Sequence, residues 1–175
     1  MELNSCNICK STNNITLYHQ NICSLINKVD EISIILQRYQ FSPHFICLTE
    51  HHLKGTEISS ISLEDYTLAS SFCRKLSSGG GVCIFIKNNL KYKQLDLSQF
   101  CLEKTLEICA VKLYLGSSKT LIVFCIYRAP TGTMEHFFSL MEKVLNYFYK
   151  SKVTFLICGD LNINLFTKSN DALKL

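Results

Sequence analysis

Apolar residues fall into two patterns along this chain. Leu25, Val29, Ile32 and Leu36 recur at helical spacing, so residues 24–39 are predicted as an amphipathic helix. Phe137, Met141, Val144 and Phe148 form a second stripe and predict a helix over 134–149, with core packing as its sufficient explanation. Shorter apolar runs predict strands at 15–20, 45–48, 66–71, 82–86, 106–115, 120–127 and 153–158. In the first of these Ile15, Leu17 and His19 alternate with polar neighbours. The first helix lies between two strands, and Ser42-Pro43 breaks the chain before the second, which makes a βαβ unit. Residues 51–65 read as a loop, Ser77 to Gly81 as a flexible turn, and Gly116-Ser117-Ser118 as a connection between two strands. Residues 1–14 read as a flexible polar leader, and 15–175 as one α/β domain with no internal repeat.

Composition narrows the classes. Hydrophobic residues make up 47% and charged residues 18%, which excludes disorder as the main state. A net charge of +4 is compatible with nucleic acid without demonstrating it. No apolar run reaches the length of a membrane helix, so no membrane partner is expected. Ten cysteines raise the possibility of disulfides. The start of the chain does not look like a signal peptide. Cys47, Cys83, Cys109, Cys125 and Cys158 lie inside apolar runs, where cysteine behaves as a small buried hydrophobe. A reducing intracellular compartment, cytoplasm or nucleus, is the corresponding expectation. Cys6-x-x-Cys9 is half of a zinc motif with no second pair nearby.

Chemistry concentrates at strand ends. Gly159-Asp160-Leu161-Asn162 follows the run 153–158 and places a carboxylate and an amide two residues apart. Asn21 follows the first strand, Glu50 the second, and Tyr127 ends another. In layered α/β folds such groups converge in one crevice. Oxygen donors there suit Mg²⁺, with Mn²⁺ as an alternative, and the set fits metal-assisted phosphodiester cleavage. Each residue has a plainer reading: Asn21, Asp160 and Asn162 as turn formers, Glu50 as a solvated loop carboxylate, Tyr127 as core. Their joint occurrence, in this order at these strand ends, favours the functional reading.

The ordered segments Gln20 to Leu25, Phe45 to Glu50, Ser78 to Ile86, Ile126 to Pro130 and Ile157 to Asn162 carry a family resemblance. The chain resembles the N-terminal part of the endonuclease/exonuclease/phosphatase superfamily, and within it the apurinic-type endonuclease domain of non-LTR retrotransposons. The resemblance implies a four-layer α/β sandwich, incomplete at its C-terminus. It implies Glu50 and Asn21 at the metal, and Tyr127 and Asn162 at the substrate phosphate. It implies Asp160 handling the attacking water or the leaving-group proton. Asn21, Tyr127, Asp160 and Asn162 are then the catalytic set, DNA is the substrate, and a reverse transcriptase is the accompanying domain. Cys23 stands where many relatives have an Asp, which puts an accessory metal contact in question. The family's terminal Ser-Asp-His-type motif has no counterpart before the chain stops at Leu175, and His51 and His52 read as loop residues. Low activity, an exposed sheet edge and an uncovered apolar face are therefore expected. The alternatives are a non-catalytic nucleic-acid-binding relic and a same-fold phosphatase acting on another phosphoester.

Overall fold

A computed structural model describes residues 14–38, 40, 42–115 and 119–163. The polar leader with Cys6 and Cys9, the connection at 116–118, and residues beyond Ile163 lie outside the described residues.

Eight strands form two four-stranded mixed sheets. The first contains β1 (Leu17–Asn21), β2 (Phe45–Thr49), β3 (Tyr66–Phe72) and β4 (Val82–Lys87), in the order β1-β2-β4-β3. The second contains β5 (Lys93–Leu95), β6 (Glu107–Leu115), β7 (Lys119–Tyr127) and β8 (Val153–Asp160), in sequence order. β1 pairs parallel with β2, and β7 pairs parallel with β8; the remaining pairings are antiparallel. Helix α1 (Val29–Arg38) and the single turn α2 (Gly55–Ile58) lie on the first sheet, and α3 (Met134–Phe148) on the second.

Strand alternation builds the layers. Along β7, Leu121, Val123, Cys125 and Tyr127 enter the core between the sheets, while Ile122, Phe124 and Ile126 pack toward Phe137, Met141 and Val144 of α3. Along β2, Phe45 and Cys47 face the other sheet, while Ile46 and Leu48 face Leu25 and Ile32. Both faces of these two central strands are therefore apolar, as a sheet covered on both sides requires. The result is the expected four-layer α/β sandwich. β1 and β8 are edge strands of their sheets among the described residues, and Ile157 on β8 is 44% exposed.

Three details differ from the sequence reading. The first helix starts at Val29 rather than residue 24, because the chain after β1 keeps bonding to the chain after β2. Ile22 donates to the Thr49 carbonyl, Ser24 to Glu50 and Leu25 to His51. Cys23 and Ser24 take left-handed φ values of 49° and 83° to follow that path. Asp30 and Glu31 then open the helix and Arg38 closes it, both favourable to its dipole. The segment 51–65 contains the turn α2, anchored by buried Ile58. The short strand β5, Lys93-Gln94-Leu95, is too polar to register as an apolar run.

Phe124 is fully buried and packs edge-on against Phe148 and Phe155. Phe124→Ala should cost about 3–5 kcal/mol in urea unfolding. Leu76→Ala, at a side chain 95% exposed, should change stability by less than about 0.5 kcal/mol. Equal effects would contradict this placement of the core.

Candidate active site

Pairing register brings the site to one end of both sheets. Asn21 is opposite Thr49 at the end of the β1–β2 ladder, so Glu50 follows directly beside it. Tyr127 is opposite Asp160 at the end of the β7–β8 ladder. β4 begins opposite the end of β2, β3 ends opposite the start of β4, and β6 begins opposite the end of β7. The loops 73–81 and 101–106 therefore open at the same end.

The Asn21 amide joins the two sheets. Its Nδ2 donates to Glu50 Oε1 at 2.8 Å and to Asp160 Oδ2 at 2.9 Å. Cys23 Sγ lies 3.8 Å from Glu50 Oε2, and His52 Nε2 lies 3.4 Å from the same oxygen. Burial pushes the Glu50 carboxyl up, but hydrogen bonds from Asn21, Tyr127 and His52 outweigh it and hold the pKa below the ordinary carboxylate value. Burial and the neighbouring Glu50 charge push the Tyr127 hydroxyl well above its usual range, so it stays protonated. Glu50, His52 and Asn162 adopt left-handed φ values of 56°, 61° and 51°. Non-glycine residues held there carry a local cost and cluster at functional sites.

Asn162 is positioned differently from Asn21. Its Nδ2 donates to the Arg128 carbonyl at 2.8 Å, and its backbone N–H donates to Asp160 Oδ1 at 3.0 Å. The Arg128 guanidinium in turn donates to the carbonyls of Leu161 and Asn162 at 2.8 and 2.7 Å. Arg128 thus fixes the segment carrying Asp160. Gly159, at φ 144°, passes so close to β7 that an added Cβ would sit 1.8 Å from the Ile126 carbonyl oxygen.

The Gly79 to Gly81 segment, expected to be a flexible turn, is pinned. Arg74 and Glu107 form a buried ion pair, with Nε 2.6 Å from Oε1. Arg74 also donates to the Ser78 carbonyl at 2.8 Å, and Glu107 accepts from Gly81 N–H at 2.6 Å and Lys104 N–H at 2.8 Å. The Arg74 guanidinium lies 5.8 Å from the centre of the Tyr127 ring. The ion pair supports the ring that faces Glu50. His51 is a loop residue, as expected, but is completely buried. Its Nε2 bonds the Phe72 carbonyl at 3.0 Å and its Nδ1 accepts from Leu53 N–H at 3.0 Å. Burial lowers its pKa, which keeps it neutral. Sequence reasoning missed Arg74, Glu107, Arg128 and His52. The usable signal was that Arg74 and Glu107 are charges flanking apolar strands.

The donor set fits a hard divalent cation: the Glu50 carboxylate is held ionised, Asp160 is one amide away, and the Asn21 side chain lies between them. The cluster of Cys23, Glu50 and His52 adds a softer face to the same position.

Comparison with known proteins was made on this geometry. No protein-family model matches the chain, and no curated protein sequence matches it. Solved structures do. The endonuclease domain of TRAS1, a telomere-specific non-LTR retrotransposon, superposes with a TM-score of 0.61 at 14% identity, covering 86% of this chain and 61% of that one. The AP endonuclease LMAP from Leishmania major superposes at 0.67 with 14% identity, covering 94% and 64%. TDP2 from D. rerio, complexed with single-strand DNA product, superposes at 0.60 with 10% identity, covering 91% and 64%. The chain has the endonuclease/exonuclease/phosphatase fold. It spans less than two thirds of the length of each of these three structures. β1, β2, β7 and β8 end at the same place, and Asn21, Glu50, Tyr127, Asp160 and Asn162 stand at or just after those ends.

The pinned loop has a pH signature. Glu103 accepts from the backbone N–H groups of Leu76 and Ser77 at 2.9 and 3.0 Å, from Lys75 N–H, and from the Ser77 hydroxyl at 2.8 Å. Slight burial pushes its carboxyl up, but these donors pull it down to about 2 from an ordinary 4.5. A carboxyl with a depressed folded pKa contributes its full stability above the unfolded value and loses it as pH falls toward the folded one. Stability should therefore decline between pH 4.5 and about 2. Glu103→Gln should melt at a lower temperature at pH 7 and lose less stability across that window. Identical acid profiles for the two proteins would contradict the assignment.

Proposed function

We propose that this chain carries the active site of a divalent-metal-dependent phosphodiester hydrolase acting on DNA, an endonuclease of the non-LTR retroelement kind. The observation that carries the proposal is the Asn21 bridge between Glu50 and Asp160 across the two sheets. Glu50 and Asn21 would hold Mg²⁺ or Mn²⁺, which supplies charge neutralisation at the scissile phosphate and acidifies an attacking water. Asp160, unburdened by a cationic partner in the described residues, accepts the proton of that water or passes one to the leaving oxygen. The protonated Tyr127 hydroxyl donates to a phosphate oxygen. Asn162 holds Asp160 Oδ1 through its backbone N–H and is itself held by its side-chain amide on the Arg128 carbonyl. Cys23 and His52, whose donor atoms lie within 4.8 Å of each other and of Glu50, would be additional contacts for the cation.

The likeness to TRAS1 endonuclease, an AP endonuclease and a DNA-bound TDP2 supports nucleic acid as substrate. The +4 net charge is compatible with salt-sensitive binding to a phosphate backbone. A reverse transcriptase domain is the accompanying partner that the retroelement reading implies. Turnover by this chain alone is expected to be slow, since of its described histidines only His52 bonds one of the five site residues.

Nicking of supercoiled plasmid by the purified chain tests this. Activity should require Mg²⁺ or Mn²⁺ and stop with EDTA. Glu50→Gln and Asp160→Asn should each lower the rate by about 10²–10⁴-fold while leaving DNA binding in place. Nicking that survives both substitutions, or salt-sensitive DNA binding by a folded chain that never cleaves, would overturn the hydrolase reading in favour of a binding module.

A further inference from the structure

One layer beneath the candidate site lies a second cluster of ligating groups. His19 of β1 is the register partner of Cys47 of β2, and Cys125 of β7 is the register partner of Cys158 of β8. Leu17 and His19 share a strand face, as do Phe45 and Cys47, and both faces point at the opposite sheet. Cys125 and Cys158 enter the same intersheet core from the other side. The sulfurs of Cys47, Cys125 and Cys158 all lie within 4.8 Å of one another. Tetrahedral zinc thiolates need about 3.8 Å between sulfurs, from a Zn–S distance of about 2.3 Å. Side-chain adjustment of about 1 Å closes the difference.

A second observation points independently to a guest in this layer. Among the described residues, two buried side-chain polar atoms have no hydrogen-bond partner: His19 Nε2 and Thr49 Oγ1. Both flank Cys47, one across the ladder and the other two residues along the same face. An imidazole nitrogen buried without a partner is costly unless something fills its coordination. Cys125 and Cys158, as thiols, donate to the Leu48 and Phe124 carbonyls, at 3.6 and 3.3 Å. All eight described cysteines are free, and Cys158 is partly exposed, which leaves a route for an ion at the β8 edge.

We propose that Cys47, Cys125 and Cys158 form a buried zinc site that staples the two sheets together, with His19, whose ring nitrogens lie outside their 4.8 Å group, turning in as the fourth ligand. The donor set is three thiolates and one neutral imidazole, which selects a borderline-soft tetrahedral cation over Mg²⁺. Binding Zn²⁺ to the three thiols releases three protons to solvent, with no change in oxidation state. Each ligand stands two or three residues before a site residue: His19 before Asn21, Cys47 before Glu50, Cys125 before Tyr127, and Cys158 before Asp160. The ion would therefore fix the spacing of the four strand ends without touching substrate. The ion is independent of whether the crevice above hydrolyses DNA.

The test uses the full chain with Cys6 and Cys9 both changed to Ser, which removes the other candidate thiol pair. After loading with Zn²⁺ or Co²⁺ under reducing conditions and desalting, about one ion per chain should remain by atomic emission. The Co²⁺ form should show thiolate charge-transfer and tetrahedral d–d absorption, and Zn²⁺ should raise the melting temperature. Cys47→Ser, Cys125→Ser and Cys158→Ser should each weaken retention by about 10–100-fold. His19→Ala should alter the Co²⁺ spectrum. Glu50→Gln and Cys101→Ser should leave retention unchanged. A folded Cys6→Ser/Cys9→Ser chain that keeps no ion would overturn the proposal and leave a buried water as the occupant. Retention that survives loss of Cys47, Cys125 and Cys158 together would overturn it as well.

Discussion

The site depends on one amide. Asn21 Nδ2 spans the ends of two sheets and holds Glu50 and Asp160 within 2.8 and 2.9 Å of the same nitrogen. Two carboxylates so close repel one another in a partly buried crevice. A shared donor offsets that repulsion in part, and a divalent cation would offset it further. The bridge is possible only because β1 and β8 stack across the intersheet core with their C-terminal ends together. Within the sheets, β1 runs parallel to β2 and β8 parallel to β7, so Glu50 follows β2 beside Asn21, and Asp160 ends β8 beside Tyr127.

Around this bridge the chain invests its buried polar groups in holding loops rather than in the core. Arg74 and Glu107 are buried and saturated by backbone partners of the glycine segment and of Lys104. Arg128 does the same for the segment after β8. Removing one member of such a pair leaves an uncompensated charge, so these contacts rigidify the ends of the strands. The glycines follow from this packing. At Gly81 an added Cβ would meet the His51 ring at 2.4 Å, and at Gly80 the Arg74 guanidinium at 2.3 Å. The four-layer core supplies the bulk of the burial; the ion pairs decide where the crevice residues stand.

Much of this was legible in the sequence, for identifiable reasons. Strands with an apolar run bounded by turns, such as β2, β4 and β7, were placed to within a residue or so. The stripe Phe137, Met141, Val144 buried as expected because α3 covers a sheet on one side. Asn21, Glu50, Tyr127, Asp160 and Asn162 could be picked out because each ends an apolar run. What was hidden depends on partners distant in sequence. The late start of α1 comes from a ladder that continues past both strands. The ordering of the glycine segment comes from Glu107, 26 residues after Gly81. The cysteines read as small hydrophobes one at a time. That Cys47, Cys125 and Cys158 meet is a consequence of register in two sheets, which no local pattern carries.

The central claim is that Glu50 and Asn21 create a divalent-cation site at the mouth of the intersheet crevice. Binding of Mn²⁺ to the folded chain, followed by electron paramagnetic resonance, tests it without relying on turnover. The account predicts saturable binding that competes with Mg²⁺, is lost in Glu50→Gln and is weakened in Asn21→Ala. Mn²⁺ that stays free in solution beside a folded chain, or binds Glu50→Gln as well as the unaltered protein, would contradict it.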